Sequence, residues 1–73
     1  MDRNYEDLVQ AIIVRAAKDY KKVLRVLIRR PQKQVALELK ADIEDFFRSN
    51  WFRDITTADG EYLIRELQKE VHY

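Results

Sequence analysis

An all-α chain is predicted by three features of this 73-residue sequence. It holds one Gly and one Pro, too little punctuation for the turns of an all-β chain. Its apolar residues recur at three- and four-residue steps over long stretches, the period of one helix face. It also mixes 47% apolar with 37% charged residues, a balance suited to amphipathic helices around a small core. The expected architecture is one compact three-helix domain over residues 1–73: a long helix 1, a helix 2 with a kink or short extra turn near residues 49–55, and a helix 3. At this size the core barely offsets chain entropy, and with no Cys neither disulfides nor thiolate metal sites add to it.

Helix 1 is drawn by Tyr5, Val9, Ile12, Ile13, Ala16, Tyr20, Val23, Leu24 and Leu27, which fall on one stripe at about 100° per residue. It must stop near Arg30, because Pro31 disfavours a helical residue before it and lacks a backbone donor. Helix 2 sets Val35, Ala36, Leu39, Ile43, Phe46 and Phe47 on one face, with Glu38, Asp42 and Asp45 on another. An unbroken helix would point Trp51 and Phe52 away from that stripe. The phase therefore slips at Ser49 and Asn50, both good capping residues, and Trp51, Phe52 and Ile55 share a face in a short new turn. The last helix is expected to start with Thr56 or Thr57 as cap, with Asp59 and Glu61 at its positive end and Leu63, Ile64, Leu67 and Val71 as its buried stripe. Gly60 falls on that stripe, where Gly is costly unless something approaches the backbone closely. An aromatic ring from residues 46–52 is the expected neighbour.

Charge is distributed unevenly around a net +1: residues 1–13 carry −2, residues 14–34 carry +7 and residues 35–73 carry −4. The basic block includes Arg15, Lys18, Lys22, Arg25 and Arg29 at steps of 3, 4, 3 and 4 along the polar back of helix 1. Such a stripe is able to follow nucleic-acid phosphates. The helix dipole accounts for the same pattern without a ligand, since Asp2, Glu6 and Asp7 begin the helix and Arg25, Arg29 and Arg30 end it. A solvated, dipole-matched face is the preferred reading, with nucleic-acid contact the alternative. The last helix is a poor reader of DNA, because Glu61, Glu66 and Glu70 would meet phosphate.

Other chemistry has little to work with. Asp59, Gly60 and Glu66 have the spacing of the fifth, sixth and twelfth positions of a calcium loop, but its first position is Ile55 and its third Thr57. Glu38, Asp42 and Asp45 lack a His or Cys among them and read as a solvated face. The single Ser49 and the single His72, next to the last residue, suggest no nucleophile–base pair, and one Gly makes no phosphate loop. No catalytic residue, metal, cofactor or small-molecule substrate is expected. The longest apolar run, Ala11 to Val14, is far short of the ~20 residues of a membrane span, so no membrane association and a cytoplasmic location are expected.

The aromatic corner offers the other surface. Phe46, Phe47 and Phe52 suit the core, while the indole of Trp51 wants a rim position or a buried acceptor, and Tyr62 lies off the last helix's stripe. Trp51, Phe52 and Tyr62 form a candidate partner surface, beside an apolar remnant of helix 1 for self-association or a protein partner.

The run Phe46-Phe47-Arg48-Ser49-Asn50-Trp51-Phe52, then Thr, then Asp59-Gly60-Glu61-Tyr62-Leu63-Ile64, resembles a group of small proteins carried by prophages and integrative mobile elements of Gram-positive bacteria. The likeness extends over most of the chain and is specific from Phe46 to Leu67. It implies a compact helical fold and an accessory role in a mobile element, and it carries over no catalytic or ligand residue.

Overall fold

The computed structural model describes residues 3–73 and consists of four helices. They are α1 (Arg3–Arg29), α2 (Gln34–Phe47), α3 (Asn50–Ile55) and α4 (Gly60–Val71). Three are substantial, and the six-residue α3 is the extra turn that the phase slip predicts. Asp2, expected in the acidic first turn, lies outside the described residues, which leaves Glu6 there.

Each boundary has a local cause. After α1 the chain turns at Pro31 and Gln32, and α2 begins at Gln34 behind Lys33, which supplies no side-chain cap. Ser49 closes one helix and opens the next: its hydroxyl donates to the Phe46 carbonyl at 2.7 Å and accepts from the Phe52 amide at 3.1 Å. The cap of α4 differs from expectation. Asp59 rather than a threonine accepts from the Glu61 amide, at 3.0 Å, while Thr56 accepts from the Ala58 amide within the preceding loop. A carboxylate at that position also meets the positive end of the helix dipole, which a hydroxyl does not.

Tyr20, Leu24, Phe47, Phe52, Ile64, Leu67 and Val71 form the core, with Ile13, Ala16, Ala17, Ile43, Phe46 and Leu63 packed against it. Phe46, Phe47 and Phe52 meet pairwise, with ring centroids 5.5–5.9 Å apart. Helix α2 returns antiparallel along α1, so that Phe47 meets the edge of Tyr20 at 6.2 Å, and α4 runs back beside both. Gly60 is indeed a point of close approach, but its neighbour is backbone rather than a ring. A Cβ there would sit 2.0 Å from the Phe47 carbonyl oxygen, so the start of α4 crosses the end of α2 at a distance only Gly permits.

The helices differ greatly in length. At 1.5 Å per residue α1 runs about 40 Å, against about 21 Å for α2 and about 18 Å for α4. The long axis of the molecule is 43 Å and its radius of gyration is 13.1 Å. A compact chain of this length would have a radius of about 11 Å. The excess comes from the first third of α1, which runs past the helices that cover the rest. Tyr5 and Ile12, expected on the buried stripe, are consequently exposed, as is Leu8 at 58%. Val35 and Leu39 of α2 are exposed as well, because α4 packs against the Ala36–Phe47 side and leaves their flank open.

Candidate interaction surface

The corner separates the three residues proposed for it. Phe52 is 1% exposed, locked under the Ser49 cap between Phe46 and Phe47, and is a core residue rather than part of a partner surface. Trp51, one residue earlier in a helix that turns about 100° per residue, points outward. It is 41% exposed, with its ring resting on Phe46 at a centroid distance of 5.4 Å. Tyr62 is exposed, and its hydroxyl donates to Glu66 at 3.3 Å along its own helix. The concavity at this corner, about 440 Å³, is lined by neither ring. Arg48 and Glu61 contribute to its wall and are paired with each other, the Arg48 Nη2 to Glu61 Oε2 distance being 3.4 Å.

Arg15, Lys18, Lys22, Arg25 and Arg29 are all exposed on the back of α1. Arg15 pairs with Asp19 at 3.6 Å among the described residues. Among the described residues no ion pair links this stripe to Glu38, Asp42 or Asp45 of α2. Instead Lys22, Arg25 and Arg29 join Arg30 and Lys33 of the α1–α2 turn around one groove of about 650 Å³, which contains Val26 and no acid. The C-terminal carbonyls of α1 favour cations there.

A polar cluster inside the bundle was not among the residues singled out from the sequence. Tyr20, 0% exposed, donates to Glu44 Oε2 at 2.5 Å and accepts from Gln68 Nε2 at 3.0 Å, so one side chain from each long helix meets in the core. Lys40 at 2.8 Å and Arg48 at 3.6 Å supply charge to the same carboxylate. Burial pushes the Glu44 carboxyl up, yet hydrogen bonds from Lys40 and Tyr20 and the nearby Arg48 outweigh it, and the carboxyl lies below its usual range. Burial, then the Glu44 contact, pushes the Tyr20 phenol well up. Every buried side-chain polar atom among the described residues is partnered. Its sequence signal was Glu44 itself, an acid in register with Ala36, Lys40 and Phe47 on the core face of α2.

The two hydroxyl bonds of Ser49 are spent on capping, and His72 caps the last helix in a left-handed conformation (φ 61°). Among the described residues there is no group of three His, Asp or Glu able to hold a metal ion, and no helix is long and apolar enough to cross a membrane.

What the bundle leaves open is a second face of α1. Tyr5, Leu8, Ile12, Arg15, Asp19, Lys22 and Val26 follow at alternating three- and four-residue steps, about 100° around the helix from the core stripe. Its upper part continues into a shallow groove of about 160 Å³, where Val23 and Val26 of α1 face Val35, Ala36 and Leu39 of α2 between Lys22 and Lys33. Val35 is 59% exposed. Comparison with family models, curated protein sequences and solved structures finds no match to this chain.

Proposed function

We propose that this protein is a small non-enzymatic interaction module that binds another protein through the outer face of α1. One observation carries this reading: α1 projects past its packing partners with Tyr5, Leu8 and Ile12 in solvent, and Val26 stays exposed farther along the same face, while the core stripe of Tyr20, Leu24 and Leu27 is buried. A chain this short has few large apolar side chains to spare from its core, and an apolar strip on a rigid helix is a common anchor for a partner. A photo-crosslinking residue at Leu8 tests it, with the same group at Arg53 as control. The expected result is a protein adduct from position 8 alone, lost on Ile12→Glu; equal adducts from both positions, or none, would contradict the reading.

A second reading has its own observation. The acid-free groove of Lys22, Arg25, Arg29, Arg30 and Lys33 suits phosphate, and as an accessory nucleic-acid-binding protein the chain would use it together with Lys18 and Arg15. No aromatic side chain lines that groove to stack on a base, which ranks this reading second. It expects binding that falls steeply with salt and weakens on Lys18→Glu with Lys22→Glu. Binding that ignores salt, or no binding to mixed DNA and RNA, ends it. A mobile-element setting rests on the resemblance of residues 46–67 alone, and the genes flanking its own in a genome test it.

A further inference from the structure

We infer that the occupant of this α1 face is a second copy of the chain, its α1 lying antiparallel to the first in the open α1–α2 groove. This rests on the interaction-module reading and names its partner.

Charge and shape along the seam are self-complementary in one register. With a two-fold axis at the level of Ala17, Leu8 stands opposite the second copy's Val26, and Ile12 opposite the aliphatic stem of its Lys22. Tyr5 comes level with the second copy's Arg29 and Arg30, within reach of a cation–π contact. Arg15 faces the second copy's Asp19, and symmetry makes that pair twice. Within one chain the Arg15–Asp19 pair is loose, 3.6 Å apart with the two side chains 82% and 45% exposed, so both keep hydrogen-bonding capacity for a second partner. A parallel alignment sets like beside like at every one of these positions. The antiparallel one also brings the acidic first turn of each α1, with Glu6, alongside the basic last turn of the other, with Arg29, and opposes the two helix dipoles.

Size argues for the same register. A stable interface needs about 800 Å² from each partner, more than a ten-residue overhang of about 15 Å offers on its own. Centring the pair at Ala17 engages the full length of α1 and brings each overhang against the exposed Val35 and Leu39 of the other copy. The strip that projects from one copy thereby fills the groove that is open in the other.

Sedimentation equilibrium on the intact chain, with Arg15→Asp and Asp19→Arg studied alone and as an equimolar mixture, tests the register. The wild-type chain is expected at twice its 8.8 kDa mass. Each single variant sets like charges opposite each other at two places and is expected to weaken the dimer about tenfold or more. The mixture is expected to restore a one-to-one heterodimer, because every facing pair is then opposite in sign, a rescue that a merely structural role for either residue would not give. Leu8→Glu, on a side chain that supports no part of the bundle, is expected to be monomeric with unchanged helix content, and it gives the answer should either charge variant lose helix. A monomeric wild-type chain, a dimer indifferent to Leu8→Glu, or folded single variants that fail to rescue one another would overturn the inference. A monomer that still crosslinks to a different protein from position 8 would remove the second copy and leave the interaction reading standing.

Discussion

Residues 3–12 and residues 13–27 of α1 share one three- and four-residue rhythm, yet they meet opposite fates. In the later stretch Tyr20, Leu24 and Leu27 are buried under α2 and α4 and exposure is left to the flanking Val14 and Val26, while in the earlier one Tyr5, Leu8 and Ile12 all stand in water. Leu8 lies on the outer face, but for Tyr5 and Ile12, which also border the core stripe, the difference lies outside α1. The covering helices are about half its length, so the apolar stripe continues after its cover has stopped. Periodicity therefore says that a helix has a face to bury and leaves open what buries it. In this molecule Tyr5, Leu8 and Ile12 on the first part of that face stay in solvent.

That contrast sets the order of expected mutational effects. Phe47→Ala empties the centre of the covered region and is expected to cost about 3–5 kcal/mol. Stability at this size is only about 4–11 kcal/mol, so the variant approaches unfolding in a urea titration. Gly60→Ala acts at the same crossing without removing an atom. Its Cβ would strike the Phe47 carbonyl oxygen, so α4 must shift, and overpacking of this kind costs about 1–3 kcal/mol. A melting temperature equal to that of wild type would show that α2 and α4 do not cross so closely.

Glu44→Ala is expected to cost about 1–3 kcal/mol, because Tyr20 loses an acceptor inside the bundle. The same site gives stability a pH dependence of known sign. The folded Glu44 carboxyl lies below its ordinary 4.5, so its contribution is complete above pH 4.5 and is lost as pH falls through the lower folded value. The folded Tyr20 phenol lies above its ordinary 10.0, so its contribution is complete below pH 10.0 and is lost as pH rises toward the higher folded value. Urea titrations across pH, repeated with Glu44→Gln, are expected to show the acid-side slope reduced in the variant; an unchanged slope would place the responsible carboxylate elsewhere. The smallest effect belongs to the uncovered end. Leu8→Ala, measured at low concentration, is expected to change stability by no more than about 0.5 kcal/mol, against several for Leu24→Ala.

Much of the fold was legible because its signals are local. Pro31 ends α1, the phase slip at Ser49 announces α3, and Gly60 marks a close approach, each through a constraint acting within a few residues. What faces what was harder. Gly60 could not reveal that its neighbour is the Phe47 carbonyl, since only the crossing of α2 and α4 brings that atom near. Phe52 and Trp51 are adjacent in sequence and differ in burial because Ser49 sets the rotation of α3. Glu44 meets Tyr20, 24 residues away, and Tyr20 in turn accepts from Gln68, 48 residues from it, and no local pattern encodes that chain of contacts. The second face of α1 was concealed because Tyr5 and Ile12 fit the core stripe as well as they fit the outer one.

Amide hydrogen exchange along α1, followed as protein concentration rises, most directly tests the claim that its first third is a docking face. Residues 4–12 are expected to exchange fast in dilute solution and to gain protection with concentration, while residues 16–27 stay protected throughout by the bundle. Protection of residues 4–12 that does not change with concentration would contradict it.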